Sequence, residues 1–157
     1  MGEASGGRVV VGLDGSDVSK AALRWALRYA SRTHGTVQAI IAWNFPAAYE
    51  WGPVLVGDDF EAVAHKVLSD AVDEIAGEFP EVPVEQIVAQ GGPAAVLTER
   101  SHGADLLVVG SRGHGGFAGL LLGSVSQQCA HHAGCPVVVV RPEDQDEHED
   151  QPEGQPA

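Results

Sequence analysis

Five short strand-like runs, most of them with apolar residues on consecutive positions, constrain this chain more than any other feature of its sequence. They fall from Arg8 to Leu13 (RVVVGL), from Thr36 to Ala42 or Trp43, from Val84 to Ala89, from Leu106 to Val109 and from Pro136 to Arg141 (PVVVVR). A strand with one wetted face alternates apolar and polar residues, whereas a strand apolar on successive positions has to be covered on both sides. Segments with helical spacing separate the runs, so the order is βα four times and then a terminal β. That order predicts an α/β fold in which a parallel sheet lies between two layers of helices.

The first helical segment, Asp17 to His34, is entered through Asp14-Gly15-Ser16, a turn followed by an N-capping residue type, and Gly35 is its expected stop. Val18, Ala22, Trp25, Ala26 and Tyr29 mark its expected core face, while Lys20, Arg24, Arg28 and Arg32 step along another face expected to be solvated. A second helix, Asp59 to Phe79, presents Val63, Val67, Leu68, Val72 and Ile75 on one side. Pro93 opens a third helix that reaches Ser101, and a fourth covers Ser124 to Ala133. The connection from Asn44 to Asp58 is rich in Pro, Gly and aromatic residues.

At 157 residues the chain has room for one domain with a sizeable core, and two would be cramped. Its net charge of -13 disfavours a protein that coats nucleic acid through counterion release. Seven of the 22 acids fall between Pro142 and Ala157, where there is no Lys or Arg, so the remainder of the chain carries only -6. The expected organisation is a disordered N-terminus over 1–7, one domain over 8–141 and an acidic disordered tail over 142–157. No signal-peptide pattern and no apolar run of membrane-spanning length is present, and two cysteines suit a reducing compartment. A cytoplasmic protein without membrane or nucleic-acid partners is the expectation.

Chemistry concentrates in the glycine-dense segment from Gly110 to Ser124, which begins where the fourth strand ends and closes at the mouth of a helix. Free N–H groups and the positive end of the helix dipole gather at such a place, and glycines let a phosphate chain approach the backbone closely. The Walker loop is absent, because no Gly precedes a Lys. Gly113-x-Gly115-x-x-Ala118 meets the loose dinucleotide fingerprint but follows the wrong strand, and Gly-x-Ser-x-Gly does not occur.

The spacing Gly110-x2-Gly113-x9-Gly123-Ser124, with VVGSRGHGG before it, GSVSQQCAHHAGCPVVVVR after it and VVVGLDGS near the N-terminus, resembles the universal stress proteins of the ATP-binding kind. The likeness extends from Arg8 to Arg141. It implies a three-layer α/β/α sandwich with a five-stranded parallel sheet of order 3-2-1-4-5, similar to the adenine nucleotide α-hydrolases. That order places the first and fourth strands side by side at a topological switch point. Carried onto this sequence, the resemblance gives Gly110, Gly113, Gly123 and Ser124 to the phosphates, with the amides of Ser111, Arg112, His114, Val125 and Ser126 as lesser candidates. Asp14 becomes the nucleotide-contacting acid, suited to ribose hydroxyls or the base unless a divalent cation intervenes. Ala42 and Trp43 would meet the adenine edge, Gly12 would allow close approach beneath it, and Gly91 lies in a similar turn. The implied ligand is ATP, with Mg²⁺ as its possible companion, and the implied assembly is a homodimer through the strand from Pro136 to Arg141.

Several of these residues also have plainer readings. Asp14 to Asp17 taken alone is a turn and a helix cap. Cys129, His131, His132 and Cys135 count like metal ligands, but His131 points away from the face that Cys129 and His132 share, so packing is the better reading. His114 has no partner carboxylate or nucleophile placed beside it. The expected function is a nucleotide-dependent stress-response module, with slow ATP hydrolysis as the most catalysis expected of it. The alternatives are an adenine nucleotide α-hydrolase-type enzyme, or a dimerising stress protein that binds no nucleotide.

Overall fold

The computed structural model describes residues 6–44, 57–112 and 122–142, with side chains from 59 onward in the second of these stretches. The elements are β1 (Arg8–Leu13), α1 (Asp17–Thr33), β2 (Thr36–Trp43), α2 (Gly57–Ile75) with a short 3-10 turn (Ala76–Glu78), β3 (Val84–Gln90), α3 (Pro93–Ser101), β4 (Leu106–Gly110), α4 (Ser124–His132) and β5 (Val137–Val140). All neighbouring strands are parallel, in the order β3-β2-β1-β4-β5. The expected sandwich is therefore the observed one.

β1 sits at the centre and is apolar on both faces. Val9, Val11 and Leu13 join α1 and α2 in one core, with Leu23, Leu27, Leu68 and Ile75 fully buried. Val10 joins Ile40, Leu97, Leu107, Val109 and Cys129 in a second core beneath α3 and α4. Each fully buried Leu or Ile contributes roughly 1.5–3 kcal/mol relative to an exposed one, so both layers are needed to keep β1 dry. Gly12 points to the second core, where a Cβ would lie 2.6 Å from Leu97 Cδ1. The close approach that Gly12 permits is made by α3.

Some helix faces differ from expectation. On α1 the core face is Ser19, Ala22, Leu23, Ala26, Leu27 and Ala30. Trp25 and Tyr29 lie on its flank, half-buried, with their rings stacked at 5.5 Å. Small residues let the helix sit close to the sheet, and the large rings are displaced to the side. On α2, Val63 is 62% exposed and its neighbour Ala64 is buried, which turns the inner face by one residue.

The basic stripe of α1 is only partly solvated, because Lys20 pairs with Glu74 at 3.1 Å and Arg24 with Glu78 at 3.3 Å, clamping α1 to α2 and the turn after it. Such half-exposed pairs are worth about 0–1 kcal/mol each. The stop of α1 is His34 rather than Gly35. His34 takes the left-handed conformation (φ 61°), and both its N–H and that of Gly35 donate to the Ala30 carbonyl. Gly35 is needed for a different reason: a Cβ there would lie 2.5 Å from the Gly7 carbonyl oxygen.

A methyl group added at position 12 has to displace Leu97 from a closed core. Gly12→Ala should cost about 1–3 kcal/mol in urea unfolding. The same change made on a Leu97→Ala background should cost less, which a double-mutant cycle reads directly.

Candidate functional site

The register brings the predicted residues to one rim of the sheet. Leu13 pairs with Ile41, Val11 with Val108, Ala42 with Ala89 and Gly110 with Val140. Continued by one step from Leu13 and by three from Val11, these registers set Ala42, Asp14 and Ser111 in a row across the C-terminal ends of β2, β1 and β4. From β1 the chain turns to α1 on one face, and after β4 it reaches α4 on the other. The gap between the two connections is the crevice where α/β sheets bind ligands.

Asp14 is held by its own helix cap. Its Oδ1 accepts from the Ser16 N–H at 2.9 Å and from the Ser16 hydroxyl at 2.6 Å. Ser16 Oγ in turn accepts from the Ser19 N–H at 3.2 Å, capping α1, and Gly15 supplies the positive φ of 87° that the turn requires. The hydroxyl of Ser19, a buried residue, accepts from the Asp14 N–H and donates to the Ser16 carbonyl. Ser19 was missed as a support of this site, although Ser16-x-x-Ser19 before an apolar stretch is a legible capping signal. The carboxylate is thus fixed in place at the rim.

On the β4 side, a Cβ at Gly110 would lie 2.4 Å from Val18 Cγ1, so this glycine lets the end of β4 close on the first turn of α1. Ser111 is buried, and its N–H donates to the Val140 carbonyl at 2.8 Å, extending the ladder to β5. The Ser111 carbonyl accepts from the Gly123 N–H at 2.6 Å and from the Ser126 hydroxyl at 3.1 Å. These bonds pin the start of α4 to the end of β4. Arg112 stands half-exposed beside them. Gly113 and His114 lie outside the described residues.

Gly123 is the N-cap of α4, with extended backbone and no side chain to cap the first turn. The N–H groups of Ser124, Val125 and Ser126 are the helix's first donors, and an anion is their natural partner. The donor set therefore fits a phosphate, and it uses backbone rather than cations.

At the other end of the row, the Trp43 carbonyl accepts from the Gly91 N–H at 2.8 Å, and the Trp43 indole lies parallel to Phe60 of α2 with centroids 6.4 Å apart. Gly91 has φ 139°, a conformation open to glycine, and leads through Gly92 into α3.

The cysteine and histidine group does not converge. Cys129 is fully buried in the second core, whereas His131 and His132 are exposed. Among the described residues, no three His, Cys, Asp or Glu side chains gather as a metal site would require. Burial pushes the Cys129 thiol from 9.0 up to about 11, and burial also raises Cys135.

Fold and crevice together define a doubly wound α/β/α protein with an anion-ready helix terminus at its switch point. The chain belongs to the Universal stress protein family, whose sequence profile matches residues 7–141. It is 41% identical over 136 residues to Universal stress protein Rv2005c of Mycobacterium tuberculosis, and 38% identical over 133 residues to Universal stress protein Rv2623 of the same species. Each match takes in 85% of this chain but only 45% and 44% of the relative, so the chain spans about half the length of these curated relatives. A crystal structure of a universal stress protein in complex with cAMP is 30% identical, with a TM-score of 0.66, over 89% of this chain and all of that one. The universal stress protein UspA from Lactobacillus plantarum shares the fold at a TM-score of 0.74 and 23% identity, over 88% of this chain and all of that one. Among the described residues, no helix is long and apolar enough to cross a membrane.

Two outcomes are expected from these contacts. Ser16→Ala removes the α1 cap and one anchor of Asp14, and should lower stability by about 1 kcal/mol in chemical denaturation. Cys129 keeps its proton when folded at pH values where the unfolded chain has lost it. Its contribution is therefore complete below pH 9 and is lost as the pH rises towards about 11. The stability gap between the native chain and Cys129→Ala should narrow across that window in urea titrations.

Proposed function

We propose that the protein binds an adenine nucleotide, ATP foremost, in the crevice between β1 and β4, and that occupancy of this site is its signal. The observation that carries the reading is the glycine-capped N-terminus of α4, tied by Ser111 and Ser126 to the strand end beside Asp14. Phosphates lie at the first-turn amides of α4, with Gly110, Gly113 and Gly123 giving the backbone its close approach. Ribose hydroxyls are suited to the fixed Asp14 carboxylate, and the base to the rim at Ala42 and Trp43. Mg²⁺ would supply charge neutralisation between phosphates and that carboxylate. The relative crystallised with cAMP supports the nucleotide class without choosing among its members.

The reading is a binding module, with slow ATP hydrolysis at most; the carboxylate–hydroxyl pair at the rim, Asp14 with Ser16, is taken up in capping α1. A second copy joins through the strand from Pro136 to Arg141: β5 is an edge strand, and an unpaired apolar edge invites pairing. The two free cysteines suit work in the cytoplasm.

Denaturing the purified protein and chromatographing the supernatant should yield an adenine nucleotide, and ATP with Mg²⁺ should raise the thermal midpoint. Absence of both effects overturns the proposal, and time-dependent release of AMP or pyrophosphate would favour the hydrolase-type alternative. Gly113→Ala and Gly123→Val should each weaken ATP binding at least about tenfold, the loss of roughly one charge-assisted hydrogen bond, while circular dichroism stays unchanged. Normal binding by both variants would move the phosphates elsewhere.

A further inference from the structure

The chain has nine cationic side chains, and the structure accounts for them unevenly. Lys20, Arg24 and Lys66 are paired with Glu74, Glu78 and Asp70, and Arg8 donates to Gln38 and to the carbonyls of Arg100 and His102. Arg28 and Arg32 are exposed on α1 and pair with no acid among the described residues. Successive residues of the stripe turn about 40° around the helix at 3.6 residues per turn. That drift carries Arg28 and Arg32 away from the acids near α2 and towards the flank bearing Trp25 and Tyr29. This flank faces the far half of the sheet: α1 packs on β4 and β5, and Trp25, Tyr29, Val138 and Val140 border the same core while remaining half-buried.

The chain leaves the sheet beside this flank. After β5 comes Arg141, exposed, and then the run from Glu143 to Glu153 with seven acids and no Lys or Arg. β5 ends at the rim where α1 begins. Arg28 and Arg32 lie ~17 and ~23 Å down α1 from that rim at 1.5 Å per residue. An extended segment covers this distance in about five to seven residues. Counted from Arg141, Asp146 and Glu147 are the acids at that reach, with Glu149 and Asp150 next along the run.

We propose that residues 143–153 dock back along the outer flank of α1, with their carboxylates on Arg28 and Arg32 and the chain passing beside Trp25 and Tyr29. Single exposed ion pairs are weak, but a segment tethered at Arg141 meets the arginines at an effective concentration on the order of millimolar. Several weak contacts then suffice to hold it. Docking would cover the exposed cations of α1 with the chain's own polyanion, and would separate that flank from external acidic partners.

The test is heteronuclear NMR of the full chain at low ionic strength and low protein concentration. It is compared with a full-length variant carrying Glu143→Gln, Asp144→Asn, Asp146→Asn, Glu147→Gln, Glu149→Gln, Asp150→Asn and Glu153→Gln. Docking predicts that the Arg28 and Arg32 side-chain Nε–H signals and the Trp25 indole signal differ between the two proteins. It also predicts that 0.5 M salt moves the native signals to the variant positions. Arg28→Gln with Arg32→Gln should in turn shift the tail resonances of the native chain. Unchanged α1 signals would overturn the proposal in favour of a solvated tail. Shifts that grow with protein concentration would overturn it in favour of contact with a second copy, and shifts confined to Lys66 or Arg100 would do so in favour of a different surface.

Discussion

The burial of β1 on both faces is the constraint from which the other features follow. Val9, Val11 and Leu13 face one way and Val10 the other, and each set needs a layer of helix to exclude water. With parallel neighbours on both sides, β1 can be covered only if one connection passes over each face. α1 takes one face and α3 with α4 the other, and the two departures from the rim leave a crevice between them. The site is thus a by-product of how the central strand is kept dry. Gly12 and Gly110 belong to the same solution: the first admits Leu97 and the second admits Val18, so both helical layers draw close to the strand ends.

A crevice made this way is lined by backbone, which suits an acidic chain. The fourth helix begins at a residue with no side chain, and its first amides are aimed by bonds from Gly123 and Ser126 to the Ser111 carbonyl. Pre-aimed amides lose little freedom when an anion arrives. Asp14 is immobilised by Ser16 in the same sense, so a hydroxyl or a cation would meet a carboxylate already in position.

The fold was legible because consecutive apolar positions have one physical meaning, and the strand order came with the resemblance carried by the glycine spacing. Helix faces were less legible. Spacing treats Trp25 and Ala26 as equals, but in the structure volume separates them: Ala22, Ala26 and Ala30 permit close packing and the rings go to the flank. The cap at His34 illustrates a different limit. Gly35 offered the conformational freedom, but its missing side chain was already required against Gly7, so the left-handed residue moved back by one. At the candidate site, Asp14, Gly110 and Ser124 are placed at the rim by motif spacing and Ser19 is readable from its place three residues after the cap, whereas the Val140 carbonyl acts through a cross-strand contact that spacing does not encode.

The distribution of cations completes this picture. Pairing Lys20 and Arg24 with the acids of α2 and its turn uses positive charge to join two helices, and Arg8 uses it to hold backbone carbonyls below the sheet. At the described rim, Arg112 and Arg141 are the only cations near the β4 and β5 ends. A phosphate there depends mainly on the amides of α4 and its dipole: salt screens the dipole as it screens surface cations, but the amide hydrogen bonds are short-range and fixed in direction by the helix. Salt would therefore weaken both kinds of anion contact, those to the outer arginines of α1 more than those to directional amides in the crevice.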